Sequence, residues 1–270
     1  MTMGLAKHIS IFVLMINVSL SGMAQVQNPS RQAKRNEKQK KINAIIKQEE
    51  EGVTYFKSHL AEGLKLVNDG VGGWIEYAMI RQPRKSILFQ LDVSERKHVK
   101  EEKLQNEFAP TAPVIFGKVN YFYPVKLGAQ KQWVVGNKGN RNGVSISTNI
   151  GGGVSLGVLR PYLVEVNKGN GVSEFVGYNS PDSVYFVNLS SIQGGPDLSR
   201  GWNKIKITPG LYLKSAARFD YGRYNEMISA VEVGGFAECY TSKIQQMIDI
   251  KQNQFFLGAY VSVIFGKRKK

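Results

Sequence analysis

The sequence predicts an all-β fold: an antiparallel up-and-down transmembrane β-barrel of eight strands, behind a short N-terminal extension that is helical or flexible. Three observations predict it. From Thr54 onward, apolar residues recur at every second position in segment after segment, the period of a strand with one apolar face. The longest such segment, "GVSISTNIGGGVSLGVL", sets Val144, Ile146, Thr148, Ile150, Gly152, Val154, Leu156 and Val158 against a face made only of serine, asparagine and glycine. The chain ends on "FFLGAYVSVIFGKRKK", an apolar alternation that runs into four cations. One face of that strand, Phe255, Leu257, Ala259, Val261, Val263 and Phe265, suits hydrocarbon, and the other is small or mixed. A buried strand of a soluble β-sandwich would satisfy this last segment equally well, so the other elements decide.

Residues 1–24 have the layout of a cleaved signal peptide. Lys7 precedes the apolar run "ISIFVLMINVSL", and Gly22 and Ala24 supply small residues before Gln25. A membrane-anchoring helix is the alternative, but the run is short and Asn17 breaks it. Residues 25–52 form a basic extension on the periplasmic side. Arg31, Lys34, Arg35, Lys38, Lys40 and Lys41 precede a small apolar cluster at Ile42, Ala44, Ile45 and Ile46, too few apolar residues for a core. Residues 53–270 are the barrel.

The strands follow in order. The first, at 54–68, carries Glu62 on its otherwise apolar side. At 73–82, Ile75, Tyr77 and Met79 oppose Trp74, Glu76 and Ala78; at 85–98, Ile87, Phe89, Leu91 and Val93 alternate with Ser86, Leu88, Gln90 and Asp92. A fourth strand over 114–134 places Tyr121, Tyr123, Val125 and Leu127 opposite Lys118, Asn120, Lys126 and Gln130. The fifth, 143–165, keeps its phase through "GGG" and is read as one strand; narrow barrels need small residues inside. The hairpin 204–219 and 226–240 opposes Ile207, Leu211, Leu213 and Phe219 to Lys206, Tyr212, Lys214 and Arg218, with Glu232 and Glu238 on the return strand. A turn centred near Arg223 would set Lys214 across from Glu232. The last strand is 253–266. Were "GGG" to turn the chain and "KQWVVG" to form its own strand, ten strands would result. An even number returns both ends to one side, the periplasm of an outer-membrane barrel, with a long extracellular loop at 166–203.

These features resemble the small outer-membrane β-barrel proteins of Bacteroidota. The resemblance rests on the "AQ" junction, "NGVSISTNIGGGVSLGVLRPYLVEV", "ITPGLYLKSAARFDYGRYNE" and "VSVIFGKRKK". It implies insertion by the outer-membrane assembly machinery and an accessory place in a secretion or transport complex.

Function is less legible. The formal charge of +15 raises nucleic acid as a partner, but an exported barrel lacking any recognition motif points instead to outer-membrane lipid, lipopolysaccharide or an envelope protein. One cysteine, Cys239, precludes an internal disulfide, and no spacing calls for a metal or cofactor. Beyond the leader the histidines are His59 and His98; Asp69, Glu95, His98 and Glu101 would gather at the outer strand ends without forming an acid and base pair, so the chain is read as no enzyme. The expected lumen-facing charges are Lys118, Lys126, Lys206, Lys214, Arg218, Glu232 and Glu238, whose pairing would plug the barrel. The expected partner contacts are Phe175, Tyr178, Tyr185, Phe186 and Trp202. The leading reading is a scaffolding subunit; the alternatives are a narrow anion-favouring pore or solute-binding barrel and, last, an enzyme.

Overall fold

In the computed structural model the described residues are 33–40, 43, 56–82, 84–106, 109–138, 143–169, 172–195, 199–224 and 226–270. The expected signal peptide lies outside them. The chain divides into two units, Met1–Thr54 and Tyr55–Lys270. In the first, residues 33–40 and 43 are helical and exposed.

Thirteen strands are described in the second unit: β1 Ser58–Val67, β2 Gly70–Gln82, β3 Lys85–Arg96, β4 Lys103–Asn106, β5 Ala109–Ile115, β6 Asn120–Gly136, β7 Ser145–Pro161, β8 Leu163–Asn167, β9 Ser173–Gly177, β10 Ile192–Gly194, β11 Lys206–Asp220, β12 Met227–Ile244 and β13 Asn253–Lys269. Eight of them close a barrel in the order β1-β13-β12-β11-β7-β6-β3-β2. The final strand pairs antiparallel with the first, from Ser58 opposite Lys269 to Val67 opposite Tyr260, so the sheet has no free edge. The eight-strand reading holds: β7 passes unbroken through Gly151–Gly153, and the "KQWVVG" stretch is the end of β6.

The stagger of the barrel follows from the pairing. Hydrogen-bonded partners run from Ser58 to Met79, Ile87, Lys131, Ile150, Ser215, Gly235 and Ala259, and return to β1 at Asn68. One circuit therefore climbs ten residues (68 − 58) over eight strands. With strands about 4.8 Å apart and a rise of about 3.3 Å per residue, the strands tilt by roughly 40°. The bore is then narrow enough for side chains to fill it.

The two faces of the wall differ as the alternation requires. Outward residues are apolar and bare: Leu64 is 77 % exposed, Leu213 69 %, Phe255 71 % and Leu257 78 %. A soluble monomer does not expose a continuous apolar belt of this extent. Tyr77, Trp133, Phe219 and Phe265 lie on the outer wall toward the end that holds the short turns, and Tyr121, Tyr123 and Phe255 toward the other end. Inward residues are small or charged. A side chain at Gly153 would run into the backbone of Leu127 and Gly128 on β6, which is why the inner face of β7 carries none at that position.

Several strand ends shift by a few residues, and two of the shifts alter the topology. The fourth barrel strand starts at Asn120, not at 114; Gly117, with φ 74°, turns the chain there, and residues 114–115 belong to β5, which pairs with β4 in a separate hairpin. The fifth ends at Pro161, and β8 peels away into a three-stranded sheet, β10-β8-β9. The described residues of the long connection 162–205 therefore form a small folded cap, whose core of Tyr162, Val164, Val166, Val176, Phe186 and Ile192 also takes in Val114 of β5.

Candidate functional site

The lumen is the site the sequence pointed to, and it is built from charges on opposite walls. Arg218 on β11 donates to Glu76 on β2 through Nη1 and Nη2, at 2.8 and 2.9 Å. In the ring order β11 and β2 are four strands apart, so this bidentate pair spans the whole bore. Arg218 also meets Glu232 at 2.7 Å, and Glu232 accepts from the Tyr260 hydroxyl at 2.6 Å and from Asn149 at 2.9 Å. Lys214 lies 3.0 Å from Glu232 and donates to Gln90 at 3.0 Å. His59 completes the cluster toward the chain termini, 3.3 Å from Glu76.

A second cluster fills the bore toward the cap. Arg96 on β3 reaches Glu238 on β12 at 3.0 Å, again between diametrically opposed strands, and also binds Asp69. Lys126 joins Glu238 at 2.5 Å. The Arg96 guanidinium sits among Phe122, Phe236 and Phe256, 4.9–6.0 Å from their ring centres. Between the clusters Lys65 holds both oxygens of Asp92, at 2.6 and 2.5 Å. Among the described residues the lumen thus sets Lys65, Arg96, Lys126, Lys214 and Arg218 against Asp69, Glu76, Asp92, Glu232 and Glu238. Within this set the charges balance; at the end that holds the short turns Asp220 is further paired with Arg268 and Lys138.

Of the expected lumenal charges, Lys126, Lys214, Arg218, Glu232 and Glu238 are buried within the bore. Lys118 is not there. The turn at Gly117 breaks the alternation, and Lys118 bridges to Met247 above the strands, its ammonium 2.6 Å from Glu101. Burial lowers its pKa from the ordinary lysine value, and Glu101 opposes that shift. Lys206 has the right parity but opens β11 at the rim and is exposed. The register of the β11–β12 hairpin is also corrected: Arg218 pairs with Glu232 and Lys214 with Phe236, so the turn is centred two residues beyond Arg223. The expected set of lumenal charges lacked Lys65, Glu76, Asp92 and Arg96, although parity on β1, β2 and β3 carries them inward and had already set Glu76 and Asp92 opposite the apolar face.

The expected contact aromatics do not form one surface. Phe186 is 3 % exposed inside the cap core, and Tyr178 and Tyr185 pack against that core. Phe175 lies under Arg200, 4.0 Å from guanidinium to ring centre. Trp202, 51 % exposed, stacks on Tyr123 at 5.9 Å and covers the Arg160 guanidinium. Phe175, Arg200, Trp202 and Lys204 border an open cleft of about 790 Å³ beside the cap. Of the four rim residues considered for catalysis, His98 and Glu101 meet through the His98 backbone amide, which donates to the Glu101 carboxylate at 3.0 Å; His98 Nδ1 accepts from the Lys100 amide, Glu101 also binds Lys118, and Asp69 is held by Arg96. Among the described residues no cluster of His, Cys, Asp and Glu could hold a metal, and no helix is long and apolar enough to cross a membrane.

No family model matches the sequence, and no curated protein does. Solved structures similar in architecture include the N-terminal β-barrel domain of Pseudomonas aeruginosa OprF (10 % identity, 78 % of this chain and 98 % of that one, TM-score 0.33). Ail, the attachment invasion locus protein of Yersinia pestis, shares 9 % identity over 78 % of this chain and 95 % of its own, with TM-score 0.36. Neisserial surface protein A shares 13 % over 81 % and 99 %, with TM-score 0.32. The closed strand ladder, not these likenesses, establishes the barrel. None of the three bears on the narrower resemblance to barrels of Bacteroidota.

Proposed function

We propose that the chain is an outer-membrane barrel, of the kind the sequence resembles in Bacteroidota, that works as a scaffolding or accessory subunit of an envelope complex. The observation that carries this reading is the pair of ionic bridges across the bore, Arg218 to Glu76 and Arg96 to Glu238, inside a wall whose outer face is predominantly apolar and exposed. A lumen tied across its diameter leaves the cap, the rim and the outer wall as the surfaces with work to do.

In this reading both termini, the short turns and the basic segment 25–52 lie in the periplasm, and the cap faces outward among lipopolysaccharide. The anion-favouring pore draws no support from a lumen in which each buried cation has a carboxylate. Catalysis draws none from rim carboxylates already held by arginine and lysine.

Extraction of the native protein from outer membranes in mild detergent, with sizing and mass spectrometry of whatever stays bound, tests the proposal. A stoichiometric envelope protein is the expected result. A lone barrel that conducts ions would overturn it.

A further inference from the structure

On the apolar outer wall two charges stand out. Glu62 points outward from β1 and Lys131 outward from β6; both are exposed, and neither has an ion pair or side-chain hydrogen bond among the described residues. A charge on the lipid face of a barrel is destabilising, most at the midplane and less toward the interfaces. Neither sits among the basic side chains of the terminal rim. Along the ladder Glu62 lies about three residues' rise, roughly 8 Å, above Lys267.

Their depths coincide. The hydrogen-bonded row through Glu62 passes to Ile75, Leu91 and Leu127. Each strand step climbs 10/8 of a residue, so Leu127 stands 3 × 10/8 = 3.75 residues above Glu62. Lys131 is four residues lower than Leu127 on the descending β6, which puts it within a quarter of a residue of Glu62, under about 1 Å. Yet the two are three strands apart on the ring and cannot meet within one molecule.

Beside Glu62 the wall has a groove. Leu64, Ile75, Leu91, Val93 and Phe265 surround Gly73, which offers no side chain to fill it. Beside Lys131 the wall is apolar and bare, with Leu127 58 % and Ile150 51 % exposed. One face is grooved and acidic, the other basic, at one depth.

We propose that the barrel associates with further copies of itself in the membrane, head to tail, the Glu62 face of one copy against the Lys131 face of the next. The proposal rests on the membrane reading above. Equal depth fixes the relating axis along the membrane normal, and a contact between two different faces builds a ring or a row, not an isolated symmetric dimer. The occupant of the groove is the chain itself, because it carries the opposite charge at the required depth.

The test uses the full chain in a Cys239→Ser background, reconstituted in phosphatidylcholine vesicles with donor- and acceptor-labelled copies. Wild type should show energy transfer at low protein-to-lipid ratio. Glu62→Lys alone and Lys131→Glu alone should each weaken association about tenfold or more. Mixing the two variants should restore it, since each then finds opposite charges on its neighbour. Should a reversal block insertion, Glu62→Gln and Lys131→Gln carry the same test, each weakening association. A wild type that floats with the vesicles yet shows no transfer, or a mixture no better than its components, would overturn the inference alone. Protein that does not float with the vesicles would overturn the membrane reading itself.

Discussion

Arg218 is the residue whose loss the barrel tolerates least. Its guanidinium satisfies Glu76 and Glu232 together, both fully buried. Arg218→Met leaves two carboxylates without their shared cation and should cost about 3–5 kcal/mol. Urea titration of the folded barrel in detergent, read by its heat-dependent gel shift, measures this; a loss under about 1 kcal/mol would mean that the bridge is not made. The Lys214 and Glu232 pair behaves differently from the simple facing pair the alternation suggested. Glu232 is also held by Arg218, Asn149 and Tyr260, so exchanging the two charges in Lys214→Glu with Glu232→Lys should not restore the stability lost by either change. Full recovery in that double variant would contradict the observed register. Which residues face inward was legible, because parity alone decides it. Which inward residues pair was not, because partners such as Arg96 and Glu238 are 142 positions apart and meet only once the ring closes.

At the scale of elements, β7 and the cap each make a prediction. Gly153→Val should prevent β6 and β7 from pairing, since its side chain would occupy the backbone of Leu127 and Gly128. Loss of the heat-shifted folded band, with Ser155→Ala as a control that keeps it, checks this. In the cap, the Tyr162 hydroxyl accepts from the Ile115 amide at 2.8 Å, and burial pushes its pKa up to about 12. Unfolded tyrosine ionises near 10, so the stability this group contributes is complete below pH 10 and is lost as the pH rises through about 12. Protease access to the cap should therefore rise over that window, and Tyr162→Phe should blunt the rise. Strand centres were legible from period-two alternation. The cap was not: its strands are three to five residues long, and Gly117 shifts the phase just before β6, where the alternation alone carried Lys118 into the lumen.

For the whole molecule, the formal charge of +15 pointed to anionic partners, and the structure shows where part of that charge sits. The lumen pairs its cations with carboxylates, whereas Lys206 stands at the rim and Lys34, Arg35, Lys38 and Lys40 belong to the exposed helical residues 33–40. Composition reports a sum, and function depends on where ring closure places its parts. The central claim is a membrane barrel closed by bridges across its own diameter, and planar-bilayer recording tests it most directly, with insertion verified by the heat-shifted band of the same preparation. Inserted wild type should carry no steady current, and Glu76→Ala with Arg218→Ala should raise the frequency of openings. A stable, anion-selective conductance in the inserted wild type would contradict the account.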